Sequence, residues 1–313
     1  MAVLDWLLDS DPALRWQVLR DLTDTPPDVV QQERSRVATQ GWGARLLALQ
    51  GADGQWAGGA CFPGGFDFDF SQGQPWTATF PTLTLLRDFG VDPAAAQVRR
   101  AVEAVRDNSR WEHDGQAFFD GEVEPCINGR TVAVGAYFGQ DVHGIVERLL
   151  GETLADGGWN CEAENGSVRS SVHSTLCVLD GLLEYERSTG GSPATVAVRR
   201  RAEEYLLQRH LFRRVTTGDV GDPAWLRFSF PTWWHYDVLR ALDHFRAVGN
   251  APDVRLDEAV ELVRSKRQPD GTWLLENTHP GAVHFRLEDG DGRPSRWNTL
   301  RALRVLHWYD GHS

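Results

Sequence analysis

The 313-residue chain has a formal net charge of −12 at pH 7, which argues against duplex nucleic acid as a partner because binding phosphates requires a basic face. A chain of this length can bury a substantial core without disulfides, so its four cysteines indicate a reduced, cytoplasmic setting. The amino terminus has no basic leader and no apolar run approaches the roughly 20 residues of a membrane span, so we expect neither a secretory signal nor an integral membrane segment.

Apolar and charged segments with helical periodicity alternate along the chain. The apolar segments are 11–22, 77–89, 127–138, 170–186, 232–246 and 295–309, and the charged segments lie near 28–50, 93–108, 142–154, 193–211 and 254–267. A helix that is apolar nearly all round belongs inside a protein, and one with a polar face lies outside. We therefore predict an all-α fold, a single α/α-toroid domain over residues 1–313 with about six inner and five to six outer helices. An open solenoid is the alternative, although the unequal repeats and long loops favour closure.

A short turn motif joins the members of several helix pairs. Residues 53–56 read Asp-Gly-Gln-Trp, residues 156–159 read Asp-Gly-Gly-Trp and residues 270–273 read Asp-Gly-Thr-Trp, with a weaker copy, Asp-Gly-Gln-Ala-Phe, at 114–118. Asp-Gly predicts a turn, because Asp bonds its own backbone and Gly supplies a positive φ. Each copy follows a charged segment and precedes an apolar one, so the motif marks an internal repeat.

The inner helices of such a ring run parallel, so their amino termini meet at one mouth of a central cavity. Unpaired N–H groups and partial positive charge at these ends suit an anionic group. An aromatic pocket with a few polar groups is typical of a site for an apolar ligand. The alternative is that the tryptophans only plug the ring. The candidate substrate-binding residues near these starts are Trp76, Asn128, Arg130, Trp233, Trp234, Trp297 and Asn298.

The turn motif, together with the residues before it at 47–50 (Leu-Ala-Leu-Gln) and 267–269 (Arg-Gln-Pro), resembles the QW-type repeat of squalene and other terpene cyclases. The same helix-pair repeat occurs in the β subunits of protein prenyltransferases. The resemblance covers about residues 40–310. It implies an enzyme that acts on an isoprenoid or other apolar substrate, with an isoprenoid diphosphate as one candidate. The alternative is a toroid that binds a lipid or a protein without catalysis.

Glu124-Pro125-Cys126 is similar to the acid-x-Cys part of the zinc site in prenyltransferase β subunits, and residues 167–182 are similar to its histidine part. This resemblance implies that Glu124, Cys126 and His173 bind zinc, although the family usually has Asp in place of Glu and a longer interval between loop and helix. Zinc accepts thiolate, imidazole and carboxylate ligands, and three protein ligands with one open position make a catalytic site. Cys161 is a candidate fourth ligand. In a metal-free alternative, the helix start lowers the pKa of Cys126, which then acts as a nucleophile.

Three further residues are candidates for catalysis. Class II terpene cyclases protonate an alkene with an aspartate of an Asp-x-Asp-Asp motif, and the nearest match here is 66–70, Phe-Asp-Phe-Asp-Phe. Asp67 and Asp69 are therefore candidate acids, although a phenylalanine occupies the fourth position. The alternative is a loop that its phenylalanines anchor and whose aspartates are solvated. His235 is predicted on an inner helix, where it faces the cavity.

Overall fold

The computed structural model describes residues 3–311, and the fold within this range is almost entirely helical. A two-residue antiparallel pair, β1 (Trp273–Leu274) with β2 (Pro294–Ser295), is the sheet structure within it. The α-helices in chain order are α1 (Val3–Leu8), α2 (Pro12–Leu22), α3 (Pro27–Ser35), α4 (Gly41–Leu47), α5 (Thr79–Asp88), α6 (Ala96–Asn108), α7 (Pro125–Tyr137), α8 (His143–Gly151), α9 (Val172–Thr189), α10 (Pro193–Leu207), α11 (Val238–Val248), α12 (Asp257–Ser265) and α13 (Arg296–Asp310).

Six apolar helices form a closed inner ring in the order α2, α5, α7, α9, α11 and α13. Neighbours from α5 to α13 pack side by side, and α13 packs on α2. At the closing joint, the indole N–H of Trp16 on α2 donates to the carbonyl of Phe89 after α5 at 2.8 Å. On the other side of α2, Arg304 of α13 pairs with Asp21 at 2.6 Å. The prediction of an all-α toroid with six inner helices is therefore confirmed, and the open solenoid is excluded.

Amphipathic helices form the outer layer. Helices α3, α8, α10 and α12 pack on α2, α7, α9 and α11 respectively, and each turns one apolar stripe inward. The charged segment predicted near 28–50 is divided into α3 and α4. Asp11 explains the second start, because its carboxylate accepts the N–H of Ala13 in α2 and that of Trp42 in α4, both within 2.9 Å. None of the helices between residues 3 and 311 is long and apolar enough to cross a membrane.

The repeat tryptophans join each outer helix to the next inner one. The indole N–H of Trp159 donates to the carbonyl of Leu149 on α8 at 2.8 Å, and the Trp159 backbone N–H donates to the hydroxyl of Thr175 on α9 at 3.2 Å. The other two copies repeat both contacts through Trp56 with Leu46 and Thr79, and through Trp273 with Val263 and Thr299. All three rings are fully buried, so the motif is a structural clamp.

Helices α7 and α9 approach each other more closely than ordinary side chains allow. A Cβ added to Gly129 would lie 2.5 Å from the Cα of Val178, and one added to Gly181 would collide with the carbonyl oxygen of Gly129. Two glycines facing each other let the helix backbones touch. This contact fixes the relative position of the two helices that carry Cys126 and His173 at their amino ends.

Candidate active site

A cavity of about 640 Å³ opens where the amino termini of the inner helices meet. Its wall combines two kinds of side chain. One kind is aromatic, and the other consists of carboxylates, thiols and imidazoles. The aromatic side chains are Phe62, Phe68, Trp76, Phe80, Trp111, Trp233 and Trp234. The polar side chains include Glu112, His113, Glu122, Glu124, Cys126, Cys161 and His173.

Three of the predicted substrate-binding tryptophans lie in this wall. Trp76 stacks on Trp233 with ring centroids 4.8 Å apart, and its indole N–H donates to the carbonyl of Pro280 at 3.0 Å. Trp234 donates its indole N–H to the side-chain oxygen of Gln74 at 3.1 Å. Because hydrogen bonds hold the polar edges of Trp76 and Trp234, these rings have fixed orientations beside the cavity.

Asn128, Trp297 and Asn298 do not line this cavity, contrary to the prediction. The Asn128 amide exchanges two hydrogen bonds with the backbone of Glu122, at 2.7 and 2.6 Å, and so holds the loop before α7. The Asn298 amide donates to the carbonyls of Phe228 and Leu274. Trp297 stacks on Phe230 and faces a second cavity at the opposite end of the ring. A residue at a helix start lines the mouth only if its position around the helix axis faces inward.

Glu124, Cys126 and Cys161 form a compact cluster, in which all the ligand atoms lie within 4.8 Å of one another. Proline at the first turn of α7 and a short 3₁₀ turn at Cys161–Ala163 bring the two thiols together. The Cys126 thiol donates to a carboxylate oxygen of Glu124 at 3.4 Å. The adjacent Cys161 thiol and burial raise the pKa of Cys126 well above its usual value. The expectation of a lowered pKa at Cys126 is therefore wrong, because those effects outweigh the helix end.

The cluster fits the donor set that zinc prefers. With Zn–S near 2.3 Å and Zn–O near 2.0–2.2 Å, tetrahedral geometry separates a sulfur and an oxygen ligand by about 3.5 Å. The Cys126 sulfur and the Glu124 oxygen are 3.4 Å apart, so their present spacing is compatible with a shared ion. Two thiols and one carboxylate would leave a fourth position open.

His173 lies outside this cluster, although it lines the same cavity. Its Nδ1 accepts the backbone N–H of Tyr236 at 2.9 Å, which ties the start of α9 to the segment before α11. Burial and the Arg240 charge lower the pKa of His173 to about 4, so the imidazole is neutral at pH 7. Of the four predicted metal ligands, the structure thus brings three together and gives the fourth a different partner.

One ring of the loop at 66–70, and neither of its aspartates, lines the cavity. Phe68 lines the cavity and packs with Phe62, Phe66 and Phe70 in one aromatic cluster at the rim. Asp67 and Asp69 are exposed. Hydrogen bonds from the backbone N–H and hydroxyl of Ser71 lower the pKa of Asp69. Neither aspartate lines the cavity, so the structure gives no support to their role as catalytic acids, which stays a prediction.

His235 lies in the irregular segment before α11, not on the helix as predicted. The helix begins only at Val238, after Asp237 accepts the Arg240 N–H as its cap at 2.7 Å. The His235 ring lies between Trp234 and His279, with centroids 3.7 Å from each. Burial and His279 lower the pKa of His235 to about 3. The imidazole is therefore neutral at pH 7, and it does not line the cavity.

Two glutamates in the wall were missed by the sequence analysis. The Glu112 carboxylate accepts the backbone N–H groups of Ala60, Cys61 and Phe62 at 2.9–3.1 Å, and so anchors the loop that carries the aromatic rim. Glu122 is largely buried beside the cluster, and its carboxylate accepts the N–H of Glu124 at 2.7 Å. The sequence signal for Glu122 was the Glu-Val-Glu spacing directly before an inner helix.

Arg130 lies on α7 between the main cavity and the second one, and it lines both. It is buried, with 7% of its surface exposed. It lies four positions after Cys126, which places both side chains on one face of the helix. Arg130 is thus a predicted binding residue that faces the interior of the ring between the two cavities.

No protein-family model and no curated protein sequence matches this chain. Among solved structures, it is similar to the type II terpene cyclase MstE from Scytonema, without ligand, at 13% identity and a TM-score of 0.45 over 94% of this chain and 85% of that one. It is also similar to a variant of MstE in complex with geranylgeranyl dihydroxybenzoate (substrate), at 14% identity and a TM-score of 0.44 over 95% and 86% of the two chains.

Proposed function

We propose that this protein is an enzyme of the terpene-cyclase or prenyltransferase type, acting on an isoprenoid or similarly apolar substrate. The observation that carries the proposal is the cavity of about 640 Å³ inside the helix ring, whose lining contains both aromatic rings and a thiol–carboxylate cluster. Its volume falls in the range of small-molecule sites, and its aromatic share suits a hydrocarbon chain. Reactive groups at one side of an apolar cavity are typical of an enzyme.

The aromatic wall would bind and shape the substrate. Trp76, Trp233 and Trp234 present large rigid faces, and Phe80 and Phe68 extend this surface toward the rim. Indole faces attract positive charge, so the same wall would stabilise a carbocation or an allylic centre that develops such charge. The buried rings also keep water away from the reacting carbon atoms.

We infer that Glu124, Cys126 and Cys161 hold a zinc ion, with His173 at the same mouth as a substrate-facing neutral imidazole. When bound, zinc would activate a thiolate-like nucleophile or polarise a bound group. Both cysteines must lose their protons for this, and a divalent cation favours the thiolate forms. The Ser174 hydroxyl, 3.3 Å from the Cys161 sulfur, would orient that ligand.

The test is to incubate the purified protein with farnesyl diphosphate, geranylgeranyl diphosphate and squalene, with and without added zinc, and to analyse the products. We expect conversion of at least one of them, and its loss in Trp76→Ala. The matched control is Trp6→Ala, which removes a tryptophan on α1 outside the cavity. If the protein binds these compounds tightly but converts none of them, with or without zinc, the lipid-binding alternative is favoured. If folded protein neither binds nor converts any of them, the proposal is overturned.

A further inference from the structure

A second cavity, of about 370 Å³, lies at the opposite end of the ring, where the inner helices end. Arginines dominate its lining, in a protein whose net charge is strongly negative. They are Arg20, Arg34, Arg87, Arg130, Arg187, Arg240, Arg246, Arg301 and Arg304. The carboxylates in the same lining are Asp88, Asp180, Glu184 and Asp243. Positive side chains thus outnumber negative ones about two to one.

Ion pairs account for only part of this charge. Arg87, Arg240 and Arg246 pair within the cavity, and Arg20, Arg301 and Arg304 pair with Asp21 or Asp237. Arg34, Arg130 and Arg187 have no carboxylate partner within residues 3–311. Arg34 donates to the Gly90 carbonyl and the Tyr137 hydroxyl, and Arg187 donates to the Ala247 carbonyl.

Arg130 is the most unusual of the three. Only 7% of its surface is exposed, and within the described part of the chain its guanidinium, which is open to the cavity, has neither a hydrogen bond nor an ion pair. Burial and the nearby Arg240 lower its pKa. A helix end explains arginines in a last turn, such as Arg187 on α9, but Arg130 lies in the first half of α7.

A second donor in the same lining also lacks an acceptor. The indole nitrogen of Trp297 is buried and has no hydrogen-bond partner among residues 3–311. The Trp297 nitrogen is closed off from the cavity, whereas the Arg130 guanidinium is open to it, so a group bound in the cavity can supply an acceptor only to Arg130. Water would supply acceptor atoms, but only an anion also neutralises three unpaired guanidinium groups.

We propose that this second cavity is a binding site for a compact phosphate-class anion, with Arg130 and Arg187 as its principal donors. The flat guanidinium fork matches a phosphate group in geometry as well as in charge. The site is separate from the thiol–carboxylate cluster and does not depend on the proposed enzymatic function. Its anion is either a free phosphate or diphosphate, or the diphosphate group of a prenyl substrate that passes Arg130.

The test is titration calorimetry of the full chain with inorganic diphosphate, at constant ionic strength. We expect one saturable site per chain, and a loss of affinity of about tenfold or more in Arg130→Gln and in Arg187→Gln. Arg187 is exposed at the rim, so its substitution leaves the core packing intact. The matched control is Arg99→Gln on α6, which removes an exposed arginine outside the cavity and should leave binding unchanged.

Two results would overturn the proposed anion site. They are diphosphate binding that never saturates, and an equal loss of affinity in Arg99→Gln and Arg187→Gln. Either result would indicate non-specific electrostatic attraction between the diphosphate and the protein surface. A separate competition experiment distinguishes the two sources of the anion. It measures whether farnesyl diphosphate displaces inorganic diphosphate from wild-type protein and from Trp76→Ala. Competition that weakens in Trp76→Ala supports the substrate's own diphosphate, and absence of competition supports a free anion. Because Trp76 lies in the other cavity, diphosphate binding should survive in Trp76→Ala even if the enzymatic proposal fails.

Discussion

The indole rings of Trp76 and Trp233 stack face to face, with centroids 4.8 Å apart and ring planes only 7° from parallel. One precedes α5 and the other precedes α11, so the stack joins two inner segments that are distant in sequence. Both rings also line a side cavity of about 320 Å³. The stack is therefore the partition between this side cavity and the main one.

Removing one ring of this partition should weaken the binding of apolar ligands. In Trp233→Ala the two cavities merge and one aromatic face is lost, so we expect affinity for farnesol to fall about tenfold, as for the loss of a well-packed aromatic contact. Quenching of intrinsic fluorescence measures the affinity. Trp233→Phe retains a ring and should lose much less. Equal affinities in both variants and wild type would place the ligand elsewhere.

Zinc content should depend on the two clustered cysteines. We expect stoichiometric zinc in protein purified without added metal, and its loss in Cys126→Ala and Cys161→Ala, because each supplies one of the three converging ligand atoms. Elemental analysis gives the content directly. The control is Cys61→Ala, which removes a buried thiol outside the cluster. His173→Ala should retain zinc, and metal-free wild-type protein with an intact fold would refute the metal site.

The repeat tryptophans should stabilise the fold through a specific hydrogen bond as well as through burial. Trp159→Phe keeps most of the buried ring but leaves the Leu149 carbonyl without its donor, so we expect a loss of about 1–2 kcal/mol in the free energy of unfolding. Trp159→Ala also leaves a cavity and should cost about 3–5 kcal/mol. Urea unfolding followed by circular dichroism measures both values. If the free energy of unfolding of Trp159→Phe equals that of the wild type, the ring acts through packing alone.

The contact between α7 and α9 should not tolerate a methyl group. A Cβ at Gly129 would lie 2.5 Å from the Cα of Val178, so Gly129→Ala must push two helices apart. We expect a loss of about 1–3 kcal/mol in unfolding free energy, in the range of overpacked cores. The matched control is Gly144→Ala on α8, where no atom lies within 4 Å of the added Cβ. Because Gly144 lies in the first turn of α8, Gly144→Ala should leave the free energy of unfolding unchanged or raise it by less than about 1 kcal/mol. Destabilisation by both variants would contradict a specific contact at Gly129.

Acidification should destabilise the protein through its neutral imidazoles. Burial and neighbouring charges lower the pKa of His235 to about 3 and those of His173 and His279 to about 4, whereas an unfolded histidine titrates near about 6.5. Between these values the unfolded chain binds more protons, so stability is complete above about pH 6.5 and falls toward pH 4. Thermal unfolding across this range measures the slope. His279→Asn should reduce the slope of stability against pH. If the variant has the same slope as the wild type, groups other than His279 cause the loss of stability in acid.

The helices and their inner or outer position were predictable from the sequence. The apolar segment 170–186 corresponds to α9 (Val172–Thr189), and the charged segment 193–211 contains α10 (Pro193–Leu207). Such agreement has a local cause, because helical periodicity and capping depend on residues within a few positions. The prediction of a helix over 232–246 was less accurate, because Trp233 adopts a positive φ of 48° and α11 begins only at Val238.

The wall of the cavity was decided by the tertiary structure. Cys126 and Asn128 both lie in the first turns of α7, but two residues correspond to a rotation of about 200° around a helix. Cys126 therefore faces the cavity, whereas Asn128 faces the backbone of Glu122. The sequence by itself determined that the chain forms a ring of repeated helix pairs and that the inner helices begin at the same end of this ring. Only packing between distant segments determined which side chains face inward, placed Cys161 beside Cys126 and left Arg130 unpaired, because those outcomes depend on contacts that no local pattern encodes.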